Sequence, residues 1–177
     1  AARERSLETV GVLLAAGADP NRTTADGTSA MLIATMNGDF DVANALLQAG
    51  GDPDLYNDKR WSVLFSAVDN HNEEWGIVPL AHDSELSARE WIRILLDYGA
   101  DPNVQSLQEN LYRTPNSRRP YWKLRSTGAT PFLRASMSGD LETMRLLLAY
   151  GADWTITSVT GTTPLMAASG LGWGDGY

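Results

Sequence analysis

The chain has 177 residues and a net charge of −8, with 43% hydrophobic and 20% charged residues. This composition can bury a core and is not that of a disordered chain. The acidic balance argues against nucleic-acid binding by the domain as a whole, because an acidic surface repels phosphate. No apolar run approaches the ~20 residues that a membrane span requires, and the absence of cysteine does not discriminate between cytoplasm, periplasm and exterior.

A Leu-Leu-x-x-Gly motif, followed by Ala-Asp-Pro in two of its four copies, recurs along the chain. Its copies begin at Leu13, Leu46, Leu95 and Leu147. The glycines of the first two copies, Gly17 and Gly50, are 33 residues apart, and the next two steps are 49 and 52 residues. Such self-similarity is typical of a repeat architecture.

A second motif opens each repeating unit with a turn residue, a Ser or Thr and a short apolar stretch. Copies span residues 27–34, 128–135 and 161–168, and a weaker copy spans residues 60–67. The first residues of the last two copies, Gly128 and Gly161, are again 33 residues apart. The two motifs therefore mark the same period.

Together, the motifs resemble the ankyrin repeat, which has a period of about 33 residues and a Thr-Pro-Leu-His-x-Ala signature. The resemblance implies an all-α solenoid of stacked helix-turn-helix units joined by short hairpin loops. We expect four to five units, at residues 1–23, 24–56, 57–125, 126–157 and 158–177, the first and last incomplete, in a fragment of a longer array. The signature His is replaced by an apolar residue in every unit that carries the motif: Leu32, Phe65, Leu133 and Met166.

Residue types at the motif boundaries predict where the helices begin and end. Pro131 and Pro164 suit first helical positions, with Thr130 and Thr163 before them as N-caps. Four glycines are expected to end helices in the left-handed conformation: Gly17, Gly50, Gly99 and Gly151. One apolar helix face is predicted from Leu141, Met144, Leu147 and Leu148.

The spacing predicts two insertions in the third unit, at residues 71–87 and 106–125. The first contains His71 and His82 among acidic residues, but their spacing matches no compact metal motif, so we expect no metal. The second is basic and aromatic, with side chains of the types that are enriched in binding hot spots: Tyr112, Arg118, Arg119, Tyr121 and Trp122. Two interpretations of it stay open, partner binding and docking onto the acidic solenoid, whereas nucleic-acid binding is disfavoured by the overall charge.

The resemblance also implies a binding surface at the hairpin tips and on the exposed side of the first helix of each unit. The matching positions are Met36, Asn37, Tyr56, Asp58, Lys59, Trp61, Asp69 and Asn70. We expect Tyr56 and Trp61 to face solvent as amphipathic anchors. The alternative for Trp61 is that it packs on a neighbouring hairpin or under an inserted loop.

No catalytic signature accompanies the repeats. The chain lacks the G-x-S-x-G, P-loop, H-E-x-x-H and dinucleotide-binding motifs, so we predict neither an enzyme nor a cofactor. The sequence predicts a protein-interaction module whose partner is another protein, or further copies or the continuation of the same array. The alternative is a structural subunit of a larger or self-associating assembly.

Overall fold

A computed structural model of the chain describes residues 4–72, 84–107 and 127–170, and side chains from Leu7 onward. Within these ranges the chain forms eight helices: α1 (Glu4–Ala15), α2 (Ala30–Asn37), α3 (Phe40–Gln48), α4 (Val63–His71), α5 (Ala88–Asp97), α6 (Pro131–Met137), α7 (Leu141–Ala149) and α8 (Pro164–Ala168). The same ranges contain no strand, only the isolated bridges Thr23–Ser29 and Tyr56–Ser62. The fold is the predicted all-α repeat solenoid.

The helices stack in two layers. The first helices of successive units, α2, α4, α6 and α8, each pack on the next, and the second helices, α1, α3, α5 and α7, do the same. Within a unit the two helices pack against each other, as in α2 with α3 and α4 with α5. Because a single two-helix unit cannot bury both of its apolar faces, this stacking supplies the core.

The core is densest between the layers at the third unit. Trp91, Leu64 and Leu95 are fully buried there. The indole N–H of Trp91 donates to the hydroxyl of Thr35 at 3.0 Å, so the largest core side chain also joins the second and third units through a hydrogen bond. None of the helices in the described ranges is long and apolar enough to cross a membrane.

The caps confirm the predicted helix boundaries. Thr130 and Thr163 each accept the N–H three residues ahead, and a proline follows each as the first helical residue. Ser29 and Ser62 cap the N-termini of α2 and α4 in the same way. The four glycines predicted after the second helices all adopt φ between 86° and 92°.

The predicted apolar face of α7 is only partly correct. Leu147 is fully buried and Met144 packs on the core, but Leu141 is exposed and Leu148 is 45% exposed. Leu47, which is equivalent to Leu148, is 2% exposed because α5 stacks beyond α3. In the described ranges no second helix of a further unit follows α7. Periodicity therefore predicted which side of α7 is apolar, but not that Leu141 and Leu148 on that side are exposed.

Polar side chains link the units through the loops that follow the second helices. The Asn21 amide donates to the carbonyl of Gly50 (2.9 Å) and accepts from the N–H of Asp52 (2.7 Å). Asn103 makes the equivalent pair of bonds to Gly151 and Asp153. The replaced signature histidines are buried apolar side chains in the second, third and fourth units, and these loops supply part of the polar contact along the array.

Candidate protein-binding surface

The hairpin tips of the second and third units, residues 24–28 and 57–61, stack directly on each other. The N–H of Asp58 donates to the carbonyl of Asp26 at 2.9 Å. Gly27 adopts φ +81°, and a Cβ there would lie 3.1 Å from the carbonyl oxygen of Tyr56. A side chain at this position is therefore opposed by both the backbone conformation and the neighbouring tip.

Side chains fix the shape of each tip. In the second unit, hydrogen bonds from Thr24 and Thr28 hold the pKa of Asp26 below its usual range. In the third unit, the amide oxygen of Asn57 accepts the N–H groups of Lys59 and Trp61, each at 3.1 Å. These local bonds replace a longer strand ladder and keep the tips in defined positions.

Arg60 departs from the repeat pattern at the third tip. Its φ is +54°, a left-handed conformation that the equivalent residues Gly27, Gly128 and Gly161 adopt without a Cβ. The Arg60 guanidinium lies over the ring of Tyr56, 5.2 Å from its centroid, and the Lys59 ammonium lies 5.9 Å from the ring centroid of Trp61. The third tip thus places two cations against two aromatic rings.

An open cavity of about 160 Å³ lies between these tips and α2. Its lining includes four of the residues selected from the sequence, together with neighbouring tip residues: Met36, Asn37, Lys59, Trp61, Asp26, Thr28, Ile33 and Asn57. Tyr56 and Asp58 are exposed at the adjacent tip, where Tyr56 was expected to face solvent. The structure therefore brings six of the predicted residues to one surface.

Trp61 corrects an expectation. It is 2% exposed and packs at 6.5 Å, centroid to centroid, from Phe65, instead of facing solvent as an anchor. The ring contact lies with the first turn of α4 in its own unit, whereas the alternative had named a neighbouring hairpin or an inserted loop. Burial against the first turn of α4 is favourable because it removes the apolar indole surface from water. The indole also lines the cavity and lies beneath the Lys59 ammonium.

Asp69 and Asn70 are used inside the array. The Asp69 carboxylate accepts from Nε of Arg134 at 2.6 Å, and the Asn70 amide donates to the carbonyl of Thr35 at 3.1 Å. Arg134 also donates to Ser138 (2.6 Å) and to the carbonyl of Asn72 (2.9 Å). The bonds from Arg134 to Asp69 and Asn72 clamp the third and fourth units together, and the bond from Asn70 to Thr35 joins the first helices of the second and third units.

The second insertion leaves and rejoins the array among the tips. The N–H of Leu107 donates to the carbonyl of Lys59 at 2.7 Å, and the N–H of Val159 donates to the carbonyl of Thr127 at 3.2 Å. The two stems also pair with each other, since Gly128 donates to Ser106 at 2.6 Å. The predicted contact residues of the insertion lie outside the described ranges: Tyr112, Arg118, Arg119, Tyr121 and Trp122.

The first insertion leaves from the opposite ends of the helices, at the turn between α4 and α5. The Asp41 carboxylate of the second unit accepts the N–H of Glu85 at 2.7 Å, which holds the returning stem. At the other stem, Nε2 of His71 lies 3.3 Å from Oδ2 of Asp140, and Arg89 lies beside both. Burial lowers the pKa of His71, an effect that Arg89 reinforces and Asp140 opposes.

Metal binding gains no support from this site. Among the described side chains no group of three or more His, Asp or Glu residues could hold a metal ion, and His82 lies outside the described ranges. His71 and Asp140 instead form a pairwise contact between the third and fourth units.

Sequence reasoning missed two functional candidates, Arg60 and Arg134. Both differ from their equivalents in other units, since Arg60 stands where three tips have Gly and Arg134 stands opposite Ile33 and Ser66. That irregularity was visible in the sequence. Only the structure shows that Arg60 is held over Tyr56 and that Arg134 reaches the neighbouring unit.

Comparison of the sequence with models of known protein families identifies the class to which this chain belongs. The family model described as ankyrin repeats in three copies matches residues 1–106, and the single ankyrin-repeat model matches residues 127–159. The chain belongs to the ankyrin-repeat family, a class of solenoids that generally mediates protein–protein interaction.

Three relatives show how the chain compares with particular proteins. It is 28% identical over 152 residues to a putative ankyrin repeat protein of fowlpox virus, covering 76% of this chain and 30% of the relative. It is 29% identical over 179 residues to the human mitochondrial disaggregase and 27% identical over 165 residues to the bovine one. Each alignment covers 93% of this chain, but 23% of the human and 20% of the bovine protein, so the chain spans less than a third of the length of these relatives.

Proposed function

We propose that the chain is a non-catalytic recognition module that binds a partner protein at the tips of its second and third units and through the second insertion. The observation that carries the proposal is the cavity between these tips, with Tyr56 and Arg60 exposed at its edge. Aromatic and Arg side chains dominate the energetics of protein interfaces. Here they stand on a rigid repeat framework.

The stems of the second insertion support its inclusion in this surface. Leu107 is bonded to Lys59, whose side chain lines the cavity, so the basic-aromatic segment begins at the proposed binding surface. Long loops on a repeat scaffold are often used for binding. The named activity of the mitochondrial disaggregases stays with those longer proteins, because the matched segment is a small part of them.

Two matched variants test the proposal. One replaces Tyr56, Lys59 and Arg60 with Ala, Ala and Gly, and the other replaces Arg118, Arg119, Tyr121 and Trp122 with small neutral residues. We expect a protein retained from source-cell extract by the native chain to bind either variant about 30-fold more weakly, which corresponds to about 2 kcal/mol. The control is Glu142→Ala with Arg145→Ala, an exposed pair on α7, which should keep the partner.

Melting curves decide between partner binding and internal docking. If the insertion docks on the acidic solenoid, the second variant melts at lower temperature and its melting is less sensitive to salt. Retained binding together with that lower melting temperature would remove the insertion from the proposed site. Retained binding by both variants would refute the whole proposal.

A second candidate function is self-association, favoured by the exposed apolar side chains of the last units. Leu165 is exposed although its equivalents Leu64 and Phe132 are buried under the next unit, and Leu148 is exposed likewise. Exposed leucines of this kind favour assembly. Sedimentation over a range of concentrations tests it, because an assembling chain gains mass with concentration and Leu165→Glu reverses that gain.

A further inference from the structure

Three large aromatic side chains stand exposed on the layer of second helices, where neither the sequence analysis nor the tip surface uses them. Tyr98 and Tyr150 end α5 and α7 as their C-caps and are 51% and 37% exposed. Trp154 lies in the turn that follows α7 and is 63% exposed. We call these three residues the aromatic patch.

The repeat framework does not require aromatic residues at these positions. The residues equivalent to the two tyrosines in the first two units are Ala16 and Ala49. The residues equivalent to Trp154 are prolines in the other three units: Pro20, Pro53 and Pro102. Since the same backbone is built elsewhere with small residues, packing does not explain three large rings left in water.

Hydrogen bonds anchor the segments that carry these rings, and a carboxylate residue precedes Tyr98 and Trp154 in the sequence. The Tyr150 hydroxyl donates to the carboxylate of Asp97, the residue that precedes Tyr98, and this bond raises the pKa of Tyr150. The N–H of Asp153, which precedes Trp154, donates to Asn103 of the neighbouring unit at 2.7 Å, so the turn that carries the indole is anchored. The rings therefore belong to two units that are fixed relative to each other.

The charges near these three rings determine which kind of ligand the aromatic patch can bind. The Asp153 carboxylate accepts the N–H of Thr155 at 2.8 Å, and hydrogen bonds from Thr155 lower its pKa, which keeps Asp153, the residue before Trp154, ionised. Arg93 is the basic residue near Tyr150, within a chain whose net charge is −8. Electron-rich ring faces next to carboxylates attract Lys and Arg side chains, whereas a second copy of the acidic chain brings further negative charge.

We propose that the aromatic patch is a second docking surface, which binds a basic segment of a partner protein. Lys or Arg side chains of that segment lie over the rings of Tyr98, Tyr150 and Trp154 and pair with the carboxylates beside them. The surface lies in the layer of second helices and uses none of the tip residues, so it stands or falls separately from the proposed tip site.

The test uses defined peptides and a variant built from the chain's own residues. Tyr98→Ala, Tyr150→Ala and Trp154→Pro together install the residues found in the second unit without changing the net charge. The probes are a Lys/Arg-rich peptide with Gly and Ser spacers and an acidic peptide of the same length, with binding measured by calorimetry at low salt. We expect the native chain to bind the basic peptide at least about tenfold more tightly than the variant does, and not to bind the acidic peptide.

Two controls make the result decisive. Tyr56→Ala, which removes an exposed aromatic ring at a tip, should bind the basic peptide with native affinity. In the native chain, the peptide should also shift the NMR signal of the indole N–H of Trp154, assigned with Trp154→Phe, which reports contact even if the triple variant unfolds.

Several outcomes would overturn the proposal. Equal affinity of the native chain and the folded triple variant would mean that the peptide is held by net charge alone. Replacing Arg118, Arg119 and Lys123 with Gln tests the chain's own basic insertion as the occupant. Peptide binding that tightens in this variant, but not when the same three substitutions are made in the triple variant, would show that the insertion, rather than a partner, covers the patch. An unshifted Trp154 signal under saturating peptide would exclude the patch directly.

Discussion

At the scale of single residues, Arg60 combines a strained backbone with an exposed side chain. The left-handed region costs an L-residue about 1–2 kcal/mol, a cost that the glycines of the other tips avoid. The Arg60 guanidinium lies over Tyr56 and recovers part of that cost. Strain kept where a Gly would fit is a frequent property of functional positions.

Two substitutions at Arg60 separate the backbone from the side chain. Arg60→Ala keeps the Cβ and loses the contact with Tyr56, so we expect the free energy of unfolding to fall by about 0.5–1 kcal/mol. Arg60→Gly loses the same contact but removes the strain, and we expect it to be about 1 kcal/mol more stable than Arg60→Ala. Urea unfolding of the two variants measures the difference. Equal stabilities would show that the tip is unstrained.

His71 makes the stability of the array depend on pH. Burial lowers its pKa in the folded state, so between the folded pKa and the unfolded value of about 6.5 the unfolded chain binds more protons. The charged groups that face it are Arg89 of α5 and Asp140 at the start of α7, whereas Asp69 of its own helix is paired with Arg134. The stabilisation is therefore complete above about pH 6.5 and is lost as the pH falls through the folded pKa.

We expect the melting temperature to decrease as the pH falls below about 6.5, and the decrease to be smaller in His71→Gln. Asp140→Asn removes the carboxylate that favours protonation of His71, so it should lower the folded pKa of His71 further, extending the decrease to lower pH and making it larger. His82→Gln is the control for the other histidine and should keep the native dependence. A native dependence in His71→Gln would assign the effect to another group.

At the scale of helices, the boundaries were predictable because they depend on local chemistry. The caps at Thr130 and Thr163 and the left-handed glycines follow from side chains next to the backbone that they serve. The burial of Trp61 and the exposure of Leu148 were not predictable in the same way. The exposure of Leu148 depends on which helix of a neighbouring unit stands opposite, whereas the burial of Trp61 depends on how its tip folds back onto Phe65 of α4. Sequence spacing contains neither piece of information.

The contact between α4 and α6 depends on a partly buried ion pair. The Arg134 and Asp69 side chains are 14% and 19% exposed, so losing one partner leaves the other charge poorly solvated. We expect Arg134→Met to lower the free energy of unfolding by about 2–3 kcal/mol. Arg145→Met breaks an exposed pair with Glu142 and should change it by less than about 0.5 kcal/mol. Equal effects of the two substitutions in urea unfolding would contradict a clamp between units.

At the scale of the whole molecule, stability in a solenoid is a sum of unit and neighbour terms, so it varies along the array. The helices of the third unit have neighbours on both sides, and Trp91 and Leu64 are fully buried there. In α1 and α8, by contrast, Val12 and Leu165 are exposed. The structure therefore predicts a gradient of local opening from these helices towards the middle.

Hydrogen exchange of the 177-residue chain measures that gradient. We expect the slowest exchange in α4 and α5 and the fastest in α1 and α8, because within the described ranges α1 and α8 contact a neighbouring unit on one side only. Leu64→Ala should then accelerate exchange in the middle helices far more than in α8. Uniform protection across all helices would indicate one cooperative unit.

The paired stems of the second insertion, closed by the bond from Gly128 to Ser106, also bear on how such a molecule changes during evolution. Because the array itself holds both stems, residues between them can be exchanged or lengthened while the 33-residue phase of the neighbouring units is preserved, and added loop length costs little free energy. Selection for recognition and selection for folding then act on separate parts of one gene. The same junction is a natural place to graft a foreign binding peptide.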